Sequence, residues 1–232
     1  MTPWRSWAAP RGASSAPAGA SSAPASPSAA TKPPVSPPAA SQLPQTRDLS
    51  SLLAGMRSSR GVVAEFQETR ELALLSSPLE ATGAIYFIPP SRLVRVVTSP
   101  GHSRLVVDGD KVRFEDETGH KDLDLSSSPI ARQMIDSFVV LFDGDETRLH
   151  QLYDAQFHTD GQAWSLHLTP RSMPLDRMIK FFEMSGTGPT IDRMEAVEPD
   201  GDRTVTRFGR TETQHEFSKT ELAELFGDAH AP

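Results

Sequence analysis

Seven histidines, thirty carboxylates and no cysteine bound the chemistry open to this sequence. The histidines are His102, His120, His150, His158, His167, His215 and His230, and none stands at metal-ligand spacing from another. His158 and His167 fall in strand-like runs and can meet in space, but a surface or half-buried histidine is the plainer reading of each. The lack of cysteine removes disulfides, thiol catalysis, Fe–S clusters and cysteine zinc sites. There is no G-x-S-x-G elbow, no P-loop and no H-E-x-x-H. Gly186-Thr187-Gly188 lacks the third glycine of a dinucleotide motif and reads as a hairpin turn. Asp143-Gly144-Asp145-Glu146 and Asp200-Gly201-Asp202 lack the ligand series of a calcium loop and also read as turns. No catalytic residue, metal or cofactor is therefore expected.

What remains is apolar bulk. Phe66, Phe87, Phe138, Phe142, Trp164, Phe181, Phe182 and Met184 stand out in a chain that is only 37% hydrophobic. Arg70, Arg92, Arg95 and Arg104 alternate with apolar residues in the first strand-like runs. Such residues suit two uses. They can line an open curved sheet that holds acyl chains, or form an ordinary core under helices. Pattern alone leaves both open.

The elements that must position them follow from periodicity. Asp48 has the character of a helix N-cap, and Leu49, Leu52, Leu53 and Met56 follow as one apolar stripe, with Gly61 as the stop. From Val62 the period changes to two. Strand-like runs follow over 62–67, 83–88, 93–98, 104–107, 111–115 and 121–125, with Asp108-Gly109 as a hairpin signal. Ser128 caps a mid-chain helix with Pro129 in its first turn and Ile130, Met134, Phe138 and Leu141 at helical spacing. A short helix over 145–152 comes next, and strands resume at 153–158, 162–168, 177–185, 190–198 and 204–208. Ser218-Lys219-Thr220-Glu221 is a capping box for a last helix that Gly227 ends. The expected fold is mainly β (α+β). One strongly curved antiparallel sheet of about eleven strands forms an unclosed β-barrel, with helices on its concave face.

Composition divides the chain. Residues 1–45 are expected to be a disordered Ala/Pro/Ser-rich tether, and residues 46–228 the folded domain. The chain carries −7 overall. Residues 1–44 hold Arg5, Arg11 and Lys32 and no acid, so the remainder carries −10. That charge disfavours nucleic acid, whose phosphates need basic surface. No apolar run reaches the ~18 residues of a membrane span. The first ten residues offer a charge but no apolar core of a signal peptide, so an exported form is expected to carry a leader upstream of Met1.

The order of short motifs resembles the LolA-type family of outer-membrane lipoprotein carriers. The run Phe66-Gln67-Glu68-Thr69-Arg70-Glu71-Leu72-Ala73-Leu74-Leu75 comes first, then Pro78-Leu79, Gly83-Ala84-Ile85-Tyr86-Phe87 and Pro90-Ser91-Arg92-Leu93. Pro100, Leu105-Val106-Val107-Asp108-Gly109, Trp164-Ser165-Leu166-His167-Leu168-Thr169-Pro170, Ala196-Val197-Glu198 and Asp200 with Asp202-Arg203-Thr204 continue it. The resemblance covers roughly residues 48–210 and is closer to the LolA-like branch than to the housekeeping carrier. Each motif is weak alone; their order and spacing are what is specific.

The resemblance implies a half-barrel with a hydrophobic cavity, a periplasmic location and no catalysis. It implies a carrier that takes the acyl chains of lipoprotein or glycolipid from an inner-membrane exporter to an outer-membrane acceptor, acting as a monomer. The residues expected to meet acyl chains are Phe66, Phe87, Leu93, Ile130, Met134, Phe138, Trp164 and Met184. In the housekeeping carrier an arginine before the proline after the second strand holds the lid helix. Here Pro89 takes that place, and Arg92 is the expected lid contact. The competing readings are a lipid- or lipoprotein-sensing regulatory domain of the same fold and a lipid-modifying enzyme.

Overall fold

The computed structural model describes residues 48–227. The tether expected over 1–45 lies outside the described residues. Helix α1 spans Leu49–Arg57. It starts where expected because Asp48 and Ser51 form a reciprocal capping box: Asp48 accepts from the Ser51 amide at 2.7 Å, and Ser51 accepts from the Asp48 amide at 3.1 Å. Leu52, Leu53 and Met56 bury its inner stripe. The helix stops at Ser58 rather than Gly61, because Ser58 and Ser59 turn their amides back to Ala54 and Met56.

Six strands follow as a meander: β1 Val62–Glu71, β2 Leu79–Ile88, β3 Arg92–Ser99, β4 Ser103–Asp108, β5 Lys111–Asp116 and β6 Gly119–Asp124. After a 3-10 turn come α2, Pro129–Asp143, and α3, Glu146–Leu152. A second meander contains β7 Tyr153–Asp160, β8 Ala163–Pro170, β9 Phe181–Thr187, β10 Thr190–Val197 and β11 Arg203–Glu212. Helix α4, Lys219–Phe226, carries the expected Ser218–Glu221 capping box.

All eleven strands form one antiparallel sheet in the order β6-β5-β4-β3-β2-β1-β11-β10-β9-β8-β7. The two meanders join through β1 and β11 at the centre. Their free edges are β6 and β7, and α2 with α3 is the chain that links those edges. A segment that links the two edges of a curled sheet passes over its concave face. Strand β9 begins at Phe181, not Arg177, because a 3-10 turn over Leu175–Arg177 buries Leu175 there first.

Cross-strand partners share a face. One face carries the apolar partners Phe66, Ile85, Phe87, Val97, Leu166, Leu168, Phe182 and Met184, and α1 and α2 pack on it. Helix α4 sits on the other face. There Arg104 donates to the carbonyls of Glu224 (2.7 Å) and Leu225, a cation at a helix C-terminus, and Arg92 lies 3.8 Å from the Phe226 ring centroid.

Candidate functional site

The strand register assembles a row of apolar side chains that no single segment reveals. Val62 pairs with Phe87, Phe87 with Leu93, Leu93 with Val107, Val107 with Val112, and Val112 with Leu123. The row crosses β1 to β6 at right angles to the strands. Six strands at roughly 4.8 Å spacing make it about 24 Å long, the length of an extended long-chain acyl group. No charged side chain interrupts it.

Helix α2 covers this row between Phe87 and Val112, and Leu123 at its outer end is 42% exposed. Its Phe142 ring meets Phe87 at 6.1 Å between centroids, and its Ala131 and Ile135 pack on Val107, Val112 and Leu125. The two halves of the helix are held differently. Its buried residues, Ser137, Val139, Val140 and Leu141, all lie in the C-terminal half. Tyr153 donates to the Ser137 carbonyl at 2.8 Å, and burial pushes the Tyr153 hydroxyl pKa up. Gly144 ends the helix in the left-handed region, at φ 69°, where a Cβ would lie 2.3 Å from the Leu53 carbonyl, and its own oxygen accepts from Arg57 at 2.8 Å. The N-terminal half has no fully buried residue. Polar contacts fasten it: Arg132 to Asp110, and Gln133 to the Met173 carbonyl at 3.0 Å. Ser128 holds the N-cap place without a side-chain bond.

At the Val62–Phe87 end the row opens into a cleft of about 40 Å³, walled by Met56, Ala64, Ile85, Phe142, Ile191 and Phe208 among others. Two β-bulges shape it. Phe208 and Thr211 pair with Phe66 and Ala64, so one extra residue in β11 puts both on the concave face. An extra residue in β10 does the same for Ile191 and Met194. At roughly 10–15 Å³ per water-sized group, the cleft holds about three such groups. An acyl chain fits only if α2 moves off the row.

The expected contact residues separate into groups. Phe87 and Leu93 lie in the row. Phe66 is buried with Ile85 and Val97, two same-face positions along β1 from Val62. Trp164 and Met184 are 3% and 1% exposed in the large core that α1 and the C-terminal half of α2 seal, and Phe138 packs there edge-on to Phe182 at 5.7 Å. Met134 is half-buried. Ile130 is 67% exposed and lies outside the row. The helix presents Ala131 and Ile135 instead, one position round from the stripe expected through Ile130 and Met134.

Arg92 does not touch α2. It neighbours Leu93 in β3, so its side chain points to the opposite face, where it makes a two-pronged bond to Asp108 at 2.8 and 3.0 Å under α4. Arg95 is on the concave face, held by Glu68 at 3.0 Å and lying 4.6 Å from the Phe66 ring centroid. Val107, Val112, Ala131 and Ile135 were missed by sequence reasoning. The Asp108-Gly109 turn held the signal: once Asp108 pairs with Lys111, Val107 must face Val112. The Asp200-Gly201-Asp202 tract is a turn. Glu198, Asp200 and Asp202 converge there, but Arg70 holds Glu198, and backbone amides of Asp202 and Ala73 donate to Asp200 and Asp202.

Residues 40–224 match the family described as outer membrane lipoprotein carrier protein LolA-like. No curated protein is similar at a significant level. Among solved structures the chain is similar to MucB, also solved with MucA from Pseudomonas aeruginosa, at 15% identity and TM-score 0.46 over 78% of this chain and 62% of that one. It thus spans less than two thirds of the MucB chain. A LolA superfamily protein from Nitrosomonas europaea matches at 7% identity and TM-score 0.40, over 74% of this chain and 94% of that one. The Mycobacterium tuberculosis lipoprotein LppX matches at 10% and 0.38, over 72% and 98%. At these values the structures report a likeness of fold only.

Proposed function

On the premise that the chain belongs to the LolA-like family of outer membrane lipoprotein carrier proteins, we propose that it is a periplasmic carrier of acyl chains. The cargo is a lipoprotein or lipid, received from an inner-membrane exporter and released to an outer-membrane acceptor. The carrier acts as a monomer and catalyses nothing. The observation that carries this reading is the 24 Å apolar row beneath a helix whose two halves are unequally fastened.

The mechanism is exchange of one apolar cover for another. In the empty protein Ala131 and Ile135 shield Val107 and Val112. An acyl chain offers the same row equivalent burial, worth ~0.8 kcal/mol per CH₂. The cost is separation of the N-terminal half of α2 with its Arg132–Asp110 and Gln133–Met173 contacts. Exposed ion pairs and single hydrogen bonds of this kind contribute about 0–1.5 kcal/mol each. The lid therefore opens at modest cost, and the cargo is not trapped. The C-terminal half stays in the core and acts as the fixed end.

Mass spectrometry of lipids that co-purify with the protein from its host tests the reading. Stoichiometric acylated species are expected. Protein free of lipid, together with no binding of a fluorescent fatty-acid probe, contradicts it.

A further inference from the structure

We infer that the connection between β8 and β9, together with the start of α2 beside it, is a docking site for a bilayer surface that carries anionic phospholipid. The site lies apart from the apolar row and takes the face of a membrane, not a cargo.

Two observations carry this. The first is a group of apolar side chains left in water around one contact. Gln133 of α2 donates to the Met173 carbonyl at 3.0 Å and ties the helix to the β8–β9 connection. Met173 is 62% exposed, Met178 in the same connection 47%, and Ile130, one helical turn before Gln133, 67%. The connection is held in shape. Leu175 is buried beneath it, and the amides of Arg177 and Met178 donate back to the Pro174 and Leu175 carbonyls. Methionine side chains adapt to a surface with no fixed pocket, such as the edge of an acyl layer.

The second observation is charge. Residues 171–180 hold Arg171, Arg177 and Lys180 against the single acid Asp176, in a chain that is −10 outside residues 1–44. Asp154 engages Arg171. Glu198, next to the Val197 carbonyl that accepts from the Lys180 amide, is engaged by Arg70. Arg177 and Lys180 are exposed and form no ion pair among the described residues, so both can meet phosphate. An apolar anchor with free cations holds a peripheral protein on an anionic bilayer, and each cation at the surface strengthens binding about fivefold. The β1–β2 connection lacks this combination. Leu74 there is 98% exposed, but Glu71 and Glu80 flank it and Asp202 accepts from the Ala73 amide, a setting that an anionic surface repels.

The test is flotation of the full chain with vesicles of phosphatidylcholine alone and of equal parts phosphatidylcholine and phosphatidylglycerol. Binding to the mixed vesicles is expected to be stronger by at least about tenfold and to weaken at high salt. The double variant Arg177→Gln, Lys180→Gln is expected to bind them about twentyfold more weakly. The double variant Met173→Ser, Met178→Ser is expected to bind them several times more weakly, and Leu74→Ser as the wild type does. All five side chains are exposed, a melting curve checks that the variants fold, and the wild-type preference stands without them. Equal binding to the two vesicles, or binding that survives both double substitutions, overturns the inference. So does absence of binding to either vesicle, which would leave the patch to a protein partner. The assay uses neither cargo nor acyl probe, so its failure leaves the carrier reading standing, and failure of the lipid-binding experiments above leaves this inference standing.

Discussion

Asp143 ends α2 with a carboxylate that is 9% exposed. Burial pushes its pKa above the ordinary range, against the hydrogen bond it accepts from the Asp145 amide at 2.8 Å and the Arg148 guanidinium at 3.6 Å. An acid raised in the folded state favours folding below its unfolded pKa of about 3.9, and that contribution is lost as pH rises through the folded value. At neutral pH its charge is a cost. Asp143→Asn is therefore expected to raise the urea midpoint at pH 7, with the difference from wild type vanishing near pH 3.5. A lower midpoint at pH 7 would show that the carboxylate earns its place through Arg148. Other single residues show what a sequence hides. A Cβ on Gly83 would lie 1.9 Å from the Val96 carbonyl and 2.9 Å from the Phe66 ring, and one on Gly186 would lie 1.9 Å from the Thr190 carbonyl and 2.7 Å from the Trp164 ring. Both glycines read from sequence as strand or turn residues. Their need is set by a carbonyl and a ring from the neighbouring strands, which only register reveals.

At the scale of elements, α2 divides into a fixed half and a lifting half. Phe138 belongs to the fixed half, edge-on to the fully buried Phe182. Ile135 belongs to the lifting half, packed on Val107 and Val112 without full burial of its own. Phe138→Ala is expected to cost about 3 kcal/mol or more, as a truncation in a sealed core does. Ile135→Ala is expected to cost less than about 2 kcal/mol and to strengthen binding of a fluorescent acyl probe, since it weakens the cover that the probe displaces. A large stability loss in both variants, with probe binding unchanged, would make α2 a single core helix. The helix itself was legible from Ser128, Pro129 and its apolar spacing. Its inner face was not, because Ile130, Ala131, Met134 and Ile135 offer two adjacent stripes and only the sheet beneath selects one. The bulges in β10 and β11 were illegible for a related reason: each puts residues three apart, Ile191 with Met194 and Phe208 with Thr211, on one face, which breaks the period of two used to find strands.

For the whole molecule, alternation and turn chemistry sufficed to predict one curled antiparallel sheet of eleven strands with a helical crossover. The placement of α4 on the outer face was not predictable, since Arg92 and Arg104 point there only after β3 and β4 are paired. The row beneath α2 is a property of the assembled sheet, with one residue from each of six strands, and its inner cleft is far smaller than an acyl chain. The central claim is that cargo enters only when the N-terminal half of α2 leaves the sheet. The chain has no cysteine, so a single engineered pair can be cross-linked without interference. Asp110 and Arg132 are in direct contact between the β4–β5 turn and that half of α2. The most direct measurement is acyl-probe binding by an Asp110→Cys, Arg132→Cys variant before and after bridging with a short bis-maleimide. The unbridged variant is expected to bind the probe at least as well as the wild type, and the bridged protein to lose binding while melting no lower. Undiminished binding by the fully bridged protein would contradict the account.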